Sequence, residues 1–178
     1  LHLTQLYTQN TMKKVIVVCG GPSSEYEVSL SSSQSIIDNI DYSKYEVSIC
    51  IIGKDRRSNI ERIKEKTDIT KLQKGKYSLE ETLEKLKSYD TVLLGTHGQF
   101  GEDGVLQTYL EENDIVFTGS DSYASRLAMD KYRSSILVNA TTGVLIPKTQ
   151  LVRLKDLKDT LSKIVLPVFV KPNKNGSS

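Results

Sequence analysis

The 178-residue sequence is sparing in several residue types, and each shortage removes a class of explanation. It has only two cysteines, Cys19 and Cys50, each inside a β-rich apolar stretch. They read as reduced core residues, and a disulfide scaffold is not expected. Two histidines and two cysteines scattered along the chain make no zinc-type set. No apolar run approaches the roughly 20 residues that a membrane-spanning helix needs. Excess charge of either sign is also missing: 24 Lys and Arg face 22 Asp and Glu, a formal charge of +2. A dedicated nucleic-acid binder usually carries a strong basic excess. There is no G-x-S-x-G nucleophile elbow, no Walker-type G-x-x-x-x-G-K-[ST], no internal repeat and no low-complexity tract. What remains is ordinary globular composition, 38% hydrophobic and 26% charged, in a chain long enough to bury a core. The cytoplasm is the expected compartment.

Both ends are unusual. The chain opens on Leu1 rather than methionine, and Leu1–Thr11 lacks the basic start and apolar core of a signal peptide. Met12-Lys13-Lys14 resembles a natural start, so residues 1–11 are expected to be a disordered extension. At the other end, Asn175-Gly176-Ser177-Ser178 is a turn-like sequence directly after a strand-like run. The chain is therefore expected to be a fragment of something longer.

Between the ends, strand and helix signals alternate. Val15–Cys19 is a β-branched apolar run consistent with a buried strand. Ser24 and Glu27 fit a capping box opening a helix that runs to about Asn39. Tyr45–Ile52 and Thr91–Leu94 read as strands, and Asp55–Lys76 is charged and ambiguous. Ser78 and Glu81 form a second capping box, ahead of the helical stripe Leu79, Leu83 and Leu86. Val105–Glu112 suggests a helix and Ile115–Phe117 a short strand. This order predicts an α/β fold with a doubly wound, parallel sheet over residues 12–119. A boundary near Ser120 leads into residues 120–178, read as an incomplete second domain. There the pattern predicts one long helix over Asp121–Asn139, a strand at Ile146–Val152, a stripe of Leu154, Leu157, Leu161 and Ile164, and a strand at Val168–Val170.

Four segments carry residues suited to chemistry. In Gly20-Gly21-Pro22-Ser23-Ser24-Glu25, a glycine pair between strand and helix lets backbone approach a ligand. Glu25 can hold an ammonium by a charge-assisted hydrogen bond, although acid is also favoured in a first helical turn. In Thr96–Gly104, three glycines surround the only internal histidine, His97, just past a strand end where ligands of such sheets bind. Asp103 could simply cap the next helix. On an uninterrupted helix, Lys131 shares a face with Ala124, Leu127, Ala128, Ser135 and Val138, against a competing stripe of Met129, Tyr132 and Ile136. Either its ammonium reaches water or an anion meets it. Last, Phe169-Val170-Lys171 delivers a lysine to a turn rich in glycine and serine, which suits a phosphate.

Taken together, GGPSSEYEVSLSS, HGQFGEDGVLQTYLE, FTGSDSYASRLAMDK and PVFVKPNKNGSS resemble the D-alanine:D-alanine ligases of the ATP-grasp superfamily, over about Lys14 to Ser178. The resemblance implies an N-terminal substrate-side domain followed by the start of an α+β ATP-grasp central domain. It implies ATP-dependent joining of two D-alanines through an acyl phosphate, for peptidoglycan synthesis, in a homodimer without nucleic-acid or membrane partners. By motif position, Glu25 and Ser177 are the implied catalytic residues, with Glu25 on the first D-alanine's ammonium. Val28 and Ser29 are expected to line that pocket, and His97 to lie near the substrate carboxylate. Lys131 and Lys171 are the implied ATP contacts, and the Mg²⁺ ligands are expected beyond Ser178. Relatives that use D-lactate or D-serine differ in residues after Ser178, and a truncated, inactive domain is the remaining alternative. Tyr26 stands where many members carry His or Arg, with little consequence expected.

Overall fold

The computed structural model describes residues 12–65, 67–72 and 75–176. The proposed extension Leu1–Thr11 and the site residue Ser177 lie outside these residues. Four strands form one sheet: β1 (Lys13–Gly20), β2 (Tyr45–Ile52), β3 (Ser58–Ile63) and β4 (Thr91–Leu94), in the order β3-β2-β1-β4. β1 pairs in parallel with β2 and β4, while β3 runs antiparallel along β2. The ambiguous stretch Asp55–Lys76 thus supplies a hairpin return strand, because the 53–57 turn is too short for a parallel crossover.

Helices cover both faces. The odd residues of β1, Val15, Val17 and Cys19, meet Leu30 and Ile37 of α1 (Tyr26–Asn39). The even residues Ile16 and Val18 meet α2 (Leu79–Leu86) and α3 (Val105–Glu112) through Leu83, Leu86, Leu106 and Leu110. This two-sided cover explains why β1 is apolar at consecutive positions rather than alternating ones. Cys19 and Cys50 are buried, unpaired thiols on opposite faces, each pushed up to about 12 mainly by burial. Tyr26 is part of the core on the α1 side.

Local signals explain most boundaries. Ser78 and Glu81 make the full reciprocal capping box that opens α2. The Ser24–Glu27 box does not form: α1 begins at Tyr26, and it is the Ser23 hydroxyl that accepts from the Glu25 N–H, at 3.0 Å. Ile115–Phe117 contributes one parallel bridge to β4 through Phe117 and Val92 rather than a strand.

The second half departs further. The long helix expected over Asp121–Asn139 is two helices, α4 (Ser122–Met129) and α5 (Lys131–Thr142), broken at Asp130 (φ −84°, ψ 90°). Asp130 ends α4 and caps α5, accepting from the Arg133 N–H. The shared face that was to centre on Lys131 therefore does not exist. Ile146–Val152 and Val168–Val170 form no strands, and the leucine stripe yields a 3₁₀ turn at Leu154–Asp156 and the short α6 (Leu157–Leu161). A strand needs a hydrogen-bonding partner, and no described residue pairs with these runs. Among the described residues, none after Asp130 is buried.

Candidate functional site

The chain leaves β1 towards β2 on one side and returns to β4 on the other. The crevice between the loops after β1 and β4 is thus the sheet's topological switch point, where ligands of such folds bind. Three ties draw these loops together. The Ser29 hydroxyl accepts from the Gly20 N–H and donates to the Gly95 carbonyl, both at 2.7 Å. The Ser23 hydroxyl donates to the His97 carbonyl at 2.7 Å. Phe100, held at a left-handed φ of 72°, is buried with its ring beside Gly21. A bulky side chain in that backbone region is strained. It is held there by the Leu106 N–H donating to its carbonyl and by Gln107 and Thr96 donating to the carbonyl of Gly101.

Glu25 and His97 stand on the two loops that these ties bring together. Gly98, at φ 71°, passes so close to Glu25 that an added Cβ would lie 2.5 Å from its Oε2 and 3.0 Å from the Ser23 hydroxyl. Gly176 closes on the same carboxylate, and a Cβ there would overlap it. Glu25 makes no side-chain cap to α1. Its Oε2 is buried and has no hydrogen-bond partner among the described residues. An acceptor left unsatisfied away from water costs about 1–3 kcal/mol, more when charged. An ammonium delivered there would satisfy both charge and hydrogen-bonding capacity.

His97 is held at both ring nitrogens. Nε2 lies 2.9 Å from the Ser32 hydroxyl, and Nδ1 lies 3.6 Å from Glu102 Oε1. The other Glu102 oxygen accepts from the Gly98 N–H at 2.6 Å, so one carboxylate steadies both ring and loop. Sequence reasoning missed Ser23, Ser32 and Glu102. Their signal was weak, since serines just before and within a helix and an acid five residues past a histidine both fit ordinary surface chemistry. Asp103, by contrast, behaves as a cap, accepting from the Val105 N–H at 3.1 Å.

The other expected site residues fall into two groups. Val28 is 52% exposed on α1 and makes none of the ties between the loops, whereas Ser29 is fully buried with its hydroxyl committed to backbone. Lys131 begins α5 and donates from Nζ to the Asn175 carbonyl, which sets it against the segment leading to Gly176. Lys171 is exposed. No group of three or more His, Cys, Asp or Glu side chains among the described residues could hold a metal ion. No described helix is long and apolar enough to cross a membrane.

Comparison with known proteins gives the family of the chain. The family described as D-ala D-ala ligase N-terminus matches residues 14–120. The D-alanine–D-alanine ligase B of Clostridium perfringens is 38% identical over 169 residues, covering 93% of this chain and 47% of that protein. The crystal structure of the Bacillus anthracis D-alanine–D-alanine ligase complexed with ATP has a TM-score of 0.60 at 31% identity, over 92% of this chain and 48% of that one. VanG, a D-Ala:D-Ser ligase from Enterococcus faecalis, has a TM-score of 0.66 at 26% identity, over 93% of this chain and 53% of that one. The chain spans about half the length of the curated relatives it matches. On the family match and the two-loop site together, this chain belongs to the D-alanine–D-alanine ligase family.

Proposed function

We propose that the protein carrying this chain joins two D-alanines with ATP, and that residues 12–119 hold the amino-acid side of the reaction. One observation carries the reading: the buried Oε2 of Glu25, without a hydrogen-bond partner among the described residues and closely approached by Gly98 and Gly176. The carboxylate supplies the ammonium of an amino acid with a counter-charge. His97, steadied by Ser32 and Glu102, lies near the substrate carboxylate. Ser177, one residue past Gly176, completes the arrangement with Glu25.

In this reading ATP phosphorylates the carboxylate of the first D-alanine, and the acyl phosphate forms as ADP leaves. The amine of the second D-alanine attacks the acyl carbon, the amide bond forms, and inorganic phosphate departs with loss of one proton from the amine. Lys131 and Lys171 neutralise phosphate charge, the main demand of phosphoryl transfer. The ATP complex of the Bacillus anthracis relative supports ATP as the donor. Among the described residues, no cluster of His, Cys, Asp or Glu could hold the Mg²⁺ that such a reaction uses. The product serves peptidoglycan synthesis, and the protein acts in the cytoplasm as a homodimer.

The test is phosphate release from ATP by the complete translated product of the gene, with D-alanine alone and with D-serine or D-lactate as second substrate. Release strictly dependent on D-alanine is expected, with no release from the 178-residue chain by itself. Release indifferent to amino acids overturns the substrate assignment. A preference for D-serine moves the protein towards the VanG type.

A further inference from the structure

The start of α5 has an unusual occupant. The first four N–H groups of a helix lack partners inside it, and this is what makes helix starts attractive to anions. In α5 all four are taken by the protein. The Lys131 N–H donates to the Asn173 carbonyl at 3.1 Å, and the Tyr132 N–H to Asn173 Oδ1 at 2.9 Å. The Arg133 N–H donates to Asp130 Oδ1 at 3.1 Å, and the N–H of the cap residue Asp130 itself to the Leu127 carbonyl at 3.2 Å. Asn173 Nδ2 then donates to Asp130 Oδ1 at 2.9 Å, closing the ring. Asn173 thus uses its carbonyl and both ends of its side chain on one helix start, from 43 residues away from Asp130.

Asp130 is 5% exposed, the last buried residue among those described. The Arg133 N–H and the Asn173 amide hold its carboxyl below the usual carboxylate range. Its second oxygen faces Arg133 Nε at 3.6 Å and Lys174 Nζ at 3.7 Å. A broken helix and a buried acid are a costly way to begin α5 if capping were the only purpose, since exposed Ser or Asp caps serve elsewhere in the chain.

The same turn runs from Asn173 to Gly176, which closes on Glu25. Three peptide steps span about 11 Å at most. One end is fixed on α5 beside Lys131 and the other lies on the carboxylate. We propose that Asp130 and Asn173 form a positioning pair that sets the distance between the phosphate side of the site, at Lys131, and the amino-acid side, at Glu25. This rests on the ligase reading above, and neither residue is required to touch a substrate. Their effect passes through the turn and through the bond from Lys131 Nζ to the Asn175 carbonyl.

The experiment pairs kinetics on the complete translated product with amide exchange on the 178-residue chain. Asn173→Ala is expected to raise KM for ATP at least about tenfold and lower kcat, with KM for D-alanine changed less than about threefold. Asn173→Asp sets two carboxylates against each other and is expected to be at least as damaging. Adding Asp130→Asn to it restores a donor–acceptor pair with roles exchanged and is expected to return KM for ATP to within about threefold of the unsubstituted protein. In the chain, Asn173→Ala is expected to speed exchange at the Tyr132 amide. Single variants with unchanged kinetics overturn the proposal, as does a double variant no better than Asn173→Asp. If the unsubstituted product shows no D-alanine-dependent turnover, the ligase reading falls. Tyr132 exchange then decides the pair by itself, and protection unchanged by Asn173→Ala overturns it.

Discussion

Val15–Cys19 and Val165–Val170 are both short, apolar and rich in valine, yet one is the centre of the molecule and the other lies bare. Every side chain from Val15 to Cys19 is buried, and the run pairs with β2 throughout and with β4 from Val15 to Val18, covered on both faces. Phe169 is 100% exposed, and no described residue pairs with Val168–Val170. The lesson concerns what a strand is. An apolar β-branched run supplies a willingness to pair, but its partners and its cover decide whether it becomes one. The site straddles this divide. Glu25 and His97 stand on loops held by the packed sheet, whereas Lys131 and Gly176 belong to the half held by a few polar ties.

The largest effect that would test this contrast is a truncation in each region. Ile49→Ala in β2 is expected to cost about 2–5 kcal/mol, the transfer and cavity loss of a fully buried side chain. Phe169→Ala, despite removing a larger group, is expected to change stability by less than about 0.5 kcal/mol. Urea unfolding of the 178-residue chain measures both. Reaction of Cys19 and Cys50 with a thiol reagent gives an independent readout, since these buried thiols report only when the sheet opens. A cost above about 1 kcal/mol for Phe169→Ala would show that the bare run is packed after all.

A finer comparison uses two glycines with nearly the same backbone. Gly98 has φ 71° and Gly143, the C-terminal cap of α5, has φ 70°. A side chain at Gly143 would meet nothing within 4 Å, whereas one at Gly98 would meet Glu25 and Ser23. Gly143→Ala should therefore show only the left-handed penalty, about 1 kcal/mol. Gly98→Ala should exceed it by at least about 1 kcal/mol, because the carboxylate must move, and in the complete product it should raise KM for D-alanine. Equal costs would mean that the close approach of Gly98 to Glu25 is not a constraint.

The same contrast marks where the sequence was legible. The boundaries of β2, β4 and α3 coincide with the sequence reading because each is bounded by turn residues. Glu25 and His97 were readable because strand-end glycine loops announce themselves, and His97 has no internal rival. The break at Asp130 was not readable, because Met-Asp-Lys inside a helical pattern carries no glycine or proline. It exists because Asn173 supplies the N–H partners that an uninterrupted helix would have provided internally. Ser23 was overlooked for Ser24 because adjacent serines look alike until the chain's direction at Glu25 is fixed. The strands expected at 146–152 and 168–170 failed for the reason β1 succeeded, since pairing is a property of two segments and a single sequence run shows only one.

The smallest effect separates the two regions by acid. Asp41 and Asp68, on the sheet side, are held down to about 2, first by the Ser43 and Thr70 hydroxyls and then by neighbouring lysines. Asp130 is also held low, by the Arg133 N–H and the Asn173 amide. Each carboxyl binds protons less readily folded than unfolded, so what it adds to stability is complete above about pH 4, the unfolded value. That contribution is lost as pH falls through the folded value. For Asp41 and Asp68 the loss is local, because the core behind them is apolar and indifferent to protons. At Asp130 the protonated carboxyl weakens the cap on Arg133 and its attraction to Lys174 together, with no packed core behind α5 to compensate. Between pH 5 and pH 2, amide exchange corrected for its intrinsic pH dependence should therefore rise first at Arg133, while Val17 and Ile49 stay protected. Loss of protection in β1 or β2 before Arg133 would reverse the order of the two halves and place the weaker ties in the sheet.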